Sequence, residues 1–156
     1  MTKIYNTKQE LMFEDESLSL KELVEKNKSN LKYADLRFAD LGFADLWCAN
    51  LTYADLRDAD LKGADLSFAN LEGADLMMAN LKYANLSEAN LRFASLWDAN
   101  LEGARLCFAD LADANLERAN LKNANLNYAR YSSETVYSCG KTVGELVKNG
   151  GNNEQK

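Results

Sequence analysis

Three aspartates recur at one interval: Asp35, Asp55 and Asp75 stand twenty residues apart. If the chain brings them into a column, the carboxylates have two chemical uses. They can ligate a hard cation such as calcium through oxygen, or they can present a negative rail that mimics a row of phosphates. The competing reading is structural. Short Asp and Asn side chains hydrogen-bond the backbone of turns, and the glycine-rich spacing of calcium-binding β-helical repeats is missing. The structural reading is the stronger.

Met77 and Trp97 share the same interval, each following a leucine (Leu76, Leu96). They are expected as neighbours on one outward face, with Met78 beside them. Exposed Met and Trp are typical anchors for a protein partner, although single apolar residues on a surface are ordinary. Catalytic chemistry is poorly provided for. The chain has no His, which removes the commonest general base and the commonest metal ligand together. Its three Cys, at 48, 107 and 139, are odd in number and widely spaced, unlike a disulfide framework or a zinc site. Reduced thiols are expected. No hydroxyl stands in a recognisable nucleophile–base pairing. The expectation is a protein that is not an enzyme and carries no cofactor or metal.

With 24 acidic against 18 basic residues the formal charge is −6. A direct binder of nucleic acid ordinarily shows a basic face, so no direct nucleic-acid contact is expected. No apolar run approaches the roughly 20 residues of a membrane span, and no signal-peptide core is present. A cytoplasmic location away from membranes is expected, in a bacterium or its phage.

What must position these side chains is a repeat of five. Leu recurs at every fifth position from Leu31 to Leu126 and Ala from Ala34 to Ala129, with Tyr131 and Val136 prolonging the Leu phase. On an α-helix a step of five turns the side chain by about 140°, scattering the leucines around every side. On a continuous strand an odd step sends successive leucines to opposite faces. The chain must therefore turn once per pentapeptide. Four such sides close a square coil of twenty residues, and successive coils stack as parallel ladders. The residue before each Leu supports that count, reading Asn30, Asp35, Asp40, Asp45, then Asn50, Asp55, Asp60, Asp65, then Asn70. Burying one Leu contributes roughly 1.5–3 kcal/mol against roughly 1–2 kcal/mol for each ordered backbone residue. One pentapeptide cannot stand alone, and the array must be cooperative.

The tandem A-[DN]-L-x-x units across residues 30–129 resemble the pentapeptide-repeat family. The resemblance implies an all-β fold: a right-handed quadrilateral parallel β-helix of about five full coils, with Leu and Ala inward and the other three positions outward. Ser95, Arg105 and Arg130 stand where Asp or Asn is usual, so local hydrogen bonding is expected to differ there. Residues two after Leu are often aromatic, as at Tyr33, Phe38, Phe43 and Tyr53; elsewhere they are Gly63, Gly73 and Gly103, or Asp and Asn at 58, 98, 113 and 123. That mixture predicts corners, where Gly, Asp and Asn tolerate positive φ.

Open β-helix ends expose unpaired edges and need lids. Residues 1–29 are expected to form an N-terminal cap. It comprises a possible hairpin in KIYNTKQELMFE and a short helix announced by the capping-box pair Ser19 and Glu22, with Leu20, Leu23 and Val24 as its apolar stripe. The repeat is expected over residues 30–139, including a final partial coil. Thr142 and Glu145 have capping-box spacing before a short helix around 143–148, and residues 140–156 end in a frayed polar tail.

These features point to a scaffold that binds another macromolecule, most simply a protein, through its outer faces, with homodimerisation one form of that contact. A purely structural or assembly role is one alternative. The other follows from the family resemblance: some pentapeptide-repeat proteins imitate duplex DNA and engage bacterial DNA gyrase, conferring quinolone resistance.

Overall fold

The computed structural model describes residues 1–137 and 141–142. Its central part follows from where the backbone donors go. In the first-turn pentapeptide Asp40–Ala44, Leu41 N–H donates to the Asp60 carbonyl at 2.7 Å and Phe43 N–H to the Lys62 carbonyl at 2.9 Å. In return Asp60 N–H donates to the Ala39 carbonyl at 2.9 Å, and Ala44 N–H closes a turn on the Leu41 carbonyl at 3.1 Å. The remaining amide, Gly42 N–H, donates to Asp40 Oδ1 at 3.2 Å. Every donor type in the repeat has a destination. The Asp or Asn before each Leu is there to accept the donor that the ladders leave over.

Neighbouring turns of chain meet in parallel bridges offset by twenty residues, from Asp35 opposite Asp55 to Asp110 opposite Arg130. Four such ladders begin at Asp35, Asp40, Asp45 and Asn50. Between them the leucines from Leu31 to Leu116 and the alanines from Ala34 to Ala119 are buried in one core. At Ser95 and Arg105 the side-chain acceptor for the following turn is lost. At Arg130 its place is taken from elsewhere, Ser132 N–H donating to Thr135 Oγ1 at 3.0 Å.

The third residue of each turn has φ between 55° and 67° in every repeat from Tyr33 to Tyr128. With the bond from the fourth N–H to the first carbonyl, this is type II geometry. A residue with a Cβ is ordinarily disfavoured there by roughly 1–2 kcal/mol, yet Phe and Tyr occupy the site repeatedly. The rings recover part of that cost on one another. Tyr33 stacks on Tyr53 with centroids 5.5 Å apart, and Phe108 on Tyr128 at 4.9 Å. Where the next turn offers glycine instead, the ring lies over it: a Cβ on Gly63 would stand 2.6 Å from the Phe43 ring, and one on Gly103 2.5 Å from Tyr83.

The first turn is closed by a cap. Strands β1 (Thr2–Asn6) and β2 (Leu11–Asp15) pair antiparallel, with a bulge between Ile4 and Tyr5. β1 then pairs antiparallel with β3 (Ala34–Asp35), Tyr5 opposite Asp35. Helix α1 (Leu20–Lys26) starts on a capping box in which Ser19 and Glu22 bond reciprocally, and it buries Leu23 and Val24. Groups of the first turn that have no preceding turn to pair with are taken up here. Asp45 N–H donates to Glu25 Oε1 at 2.9 Å, Asn50 N–H to the Lys28 carbonyl at 2.8 Å, and Lys21 Nζ to the Gly42 carbonyl at 2.8 Å.

At the other end the Leu phase does not continue through Val136. Strand β4 (Asn115–Leu116) pairs parallel with β5 (Val136–Tyr137) so that Tyr137, not Val136, stands opposite Leu116. The slip arises in the Ser132–Thr135 turn. The Thr135 hydroxyl, fully buried, donates to the Leu111 carbonyl at 2.9 Å, and the Ser132 hydroxyl donates to Asp113 Oδ1 at 2.7 Å. These bonds pull one extra residue into the turn. β5 pairs antiparallel with β6 (Lys141–Thr142). Leu121, Ala124 and Leu126 in the last turn are only partly buried. The helix expected around 143–148 and Cys139 lie outside the described residues. Among the described residues no helix is long and apolar enough to cross a membrane.

The cap and first turn also hold the carboxyls most shifted by folding. Backbone and side-chain donors of Ser17, then Lys26, lower Asp15; Ser19 lowers Glu22; the Arg37 fork lowers Asp35; Lys28 and the Trp47 amide lower Asp45. A carboxyl whose folded pKa lies below its unfolded value contributes stability above the ordinary carboxylate range and loses it as pH falls toward the folded value. Acid is therefore expected to loosen residues 1–45 before the middle of the array. Hydrogen exchange between about pH 5 and pH 3 should show amides of the cap opening while those of Leu76–Leu101 stay protected.

Candidate functional site

The leucine-and-alanine core leaves three outer positions of each repeat free, and the candidate site draws on all three. Asp35, Asp55 and Asp75 do stand in one column, bridged 35 to 55 and 55 to 75. Each accepts the amide two residues on, Arg37 N–H at 3.4 Å, Arg57 N–H at 3.3 Å and Met77 N–H at 3.1 Å. This is the turn-backbone role. The column is also interleaved with cations. Arg37 forks onto Asp35, Nε to Oδ1 at 2.8 Å and Nη2 to Oδ2 at 2.7 Å, and its Nε lies 3.6 Å from Asp55 Oδ2. Arg57 repeats the pattern: its Nε donates to Asp55 Oδ1 at 2.8 Å, its Nη2 to Oδ2, and its Nε lies 3.5 Å from Asp75 Oδ2. The result is a zipper of alternating charge. Among the described residues no group of three or more His, Cys, Asp or Glu is placed to hold a metal ion.

The zipper stops at Asp75, because position 77 is Met. The consequence is visible in exposure: the side chains of Asp35 and Asp55 are 15% and 14% exposed, that of Asp75 36%. Met77 continues the line of Arg37 and Arg57, and Trp97 follows it. Met78 N–H donates to the Trp97 carbonyl at 2.9 Å, so the turn carrying Met77 and Met78 stacks directly on the turn carrying Trp97. Met78 is exposed, whereas Met77 and Trp97 are half-buried. Trp97 is covered in part by Arg118, whose guanidinium lies 4.9 Å from the ring centroid and whose Nη2 lies 3.4 Å from Asp98 Oδ2. Sequence reasoning missed this arginine, and the only signal for it was its offset of about one turn from Trp97.

Two further features lie elsewhere on the surface. Trp47 is 52% exposed and follows Leu46 as Trp97 follows Leu96. A groove of about 410 Å³ is lined by Glu88, Asn90, Arg92, Phe108, Asp110, Tyr128 and Arg130, with Arg92 Nη1 3.7 Å from Asp110 Oδ2.

The repeat geometry agrees with the family comparison. The model for "Pentapeptide repeats (8 copies)" matches residues 29–67, 39–77, 59–98, 69–106 and 99–130. The chain belongs to the pentapeptide-repeat family. Proteins of this family are generally structural or binding scaffolds. The chain is 33% identical to HetL, a pentapeptide repeat protein involved in heterocyst differentiation regulation in the cyanobacterium Nostoc sp. strain PCC 7120, with a TM-score of 0.47 over 69% of this chain. The match spans 59% of the length of HetL. A second Nostoc PCC 7120 pentapeptide repeat protein, alr5209, is 40% identical with a TM-score of 0.45, over 65% of this chain and 79% of the other. QnrB1, a plasmid-mediated fluoroquinolone resistance protein, is 16% identical with a TM-score of 0.32, over 70% of this chain and 64% of the other. No curated protein matches the chain.

Proposed function

We propose that this chain is a non-enzymatic scaffold, a right-handed quadrilateral β-helix of about five full coils, that binds another protein through its outer faces, chiefly the face of Met77, Met78 and Trp97. The supporting observation is that the turn of Met77 and Met78 is bonded to the turn of Trp97, on a framework whose Leu and Ala columns already fill the core. Outer side chains contribute little to that core, so their identity is free to serve recognition. A gyrase-binding role would draw on an uninterrupted acidic rail. The arginines threaded along Asp35, Asp55 and Asp75 favour the protein-binding reading.

Light scattering on the wild-type chain and Trp97→Asp, followed by pull-down with both as bait, tests it. The expected result is a partner, or a second copy, held by the wild type and lost on Trp97→Asp. Identical masses and identical captured proteins would remove this face from the reading. Inhibition of purified gyrase in a supercoiling assay, undiminished by Trp97→Asp, would replace it with the gyrase alternative.

A further inference from the structure

We propose that Asp75, Met77 and Trp97 together form a receptor for an arginine side chain presented by a different protein. The proposal rests on the Met77–Met78–Trp97 face being an interface and adds the chemistry of what docks there.

The zipper defines what a completed position looks like. At 37 and 57 the residue after Leu is Arg; its guanidinium makes two short bonds to the Asp two residues earlier. Asp75 is the next carboxylate in the same column and has no such fork. Its Oδ1 accepts the Met77 amide at 3.1 Å, and among the described residues its Oδ2 is approached only by Arg57 Nε at 3.5 Å, beyond a good charge-assisted bond. More than twice as much of its side chain is exposed as of Asp35 or Asp55.

The flanking residues suit the same group. Met77 stands where the arginine stem would run. Trp97, one turn further, already accepts one guanidinium against its ring, that of Arg118. A planar cation with two parallel donors satisfies the carboxylate edge and lies against thioether and indole together. An ammonium group can supply the charge and sit over a ring, as Lys82 does over Tyr83, but it cannot make the two parallel bonds to one carboxylate. The site therefore selects arginine over lysine.

The test uses the full chain with Trp47→Phe, which leaves Trp97 as the single indole, and follows its N–H signal by NMR. Acetyl-Gly-Arg-Gly-amide is expected to move that signal saturably at millimolar concentration, and the Lys analogue to bind at least about tenfold more weakly. Asp75→Asn should reduce the arginine peptide to the level of the lysine one. Met77→Arg should abolish the response and raise the melting temperature, because the chain then supplies its own guanidinium. Equal shifts with both peptides, or an arginine response that survives Asp75→Asn or Met77→Arg, overturn the proposal. If pull-down captures a partner that Trp97→Asp loses but Asp75→Asn keeps, the face remains an interface and the arginine assignment alone fails. A homodimer that dissociates on Asp75→Asn assigns the arginine to a second copy and overturns the assignment to a different protein.

Discussion

Replacing Leu81 with Asp is expected to unfold the repeat array. Leu81 is fully buried and lies in register between Leu61 and Leu101, both also fully buried. Removing its side chain alone costs about 3–5 kcal/mol in lost burial and residual cavity. An unpaired carboxylate in an all-Leu and Ala layer adds a desolvation penalty that no neighbour offsets. The sum is comparable with the ~5–15 kcal/mol that holds a whole domain. Because each turn is stabilised only by the turns on either side, a break in the middle separates two short stacks, each with a newly exposed end. Circular dichroism should lose the β signal and the cooperative melt. Leu121→Asp is the control. Leu121 is only partly buried in the last turn, so that variant should keep both signals with a lowered melting temperature. Retention of a normal melt by Leu81→Asp would mean that the leucine column is not the core.

Glu88→Pro should be nearly as damaging, and Ser87→Pro much less so. Glu88 has φ 59°, on the opposite side of zero from the ring-locked value of Pro near −65°. Its N–H also donates to the Cys107 carbonyl at 2.9 Å. The substitution deletes a rung and forces the turn open, a cost of about 3 kcal/mol or more. One residue earlier the geometry reverses. The second position of a type II turn favours Pro, and the Ser87 amide reaches only the Asn85 side chain, at 3.3 Å. Ser87→Pro loses that bond and the Ser87 hydroxyl bond to the same oxygen, at 2.8 Å, about 1–2 kcal/mol together. Thermal melts of the two variants give the comparison directly. Equal losses would mean that the turns are not of type II. The same accounting explains why the chain contains no Pro. In most repeats every amide is a donor in use.

Some of the site could be read in the residues and some could not. The triplet D-L-R occurs at 35–37 and again at 55–57. With the twenty-residue register known, the arginine zipper and its interruption at Met77 were there to be found. The positive φ at the third turn residue was legible where Gly, Asp or Asn stands. It was hidden where Phe or Tyr stands, because those residues rarely adopt it; where a ring is stacked, as Tyr33 on Tyr53 and Phe108 on Tyr128, its partner lies twenty residues away. The slip at Val136 was illegible for a different reason. Periodicity predicted continuation, and a single buried hydroxyl, Thr135 on Leu111, overrode it.

A step of five suits neither helix nor strand, so the sequence by itself determined that the backbone turns at each pentapeptide, that Leu faces inward, and that neighbours lie twenty residues apart; the inward Ala was implied by the resemblance of its A-[DN]-L-x-x units to the pentapeptide-repeat family. Those features repeat in every unit, and each unit reinforces the same solution. Tertiary structure alone decided how β1 lies against β3, how Arg118 comes to cover Trp97, and why the Asp75 carboxylate is left open beside Met77. These depend on the reach of long side chains between turns and on what the chain does at its ends. A local repeat does not constrain either.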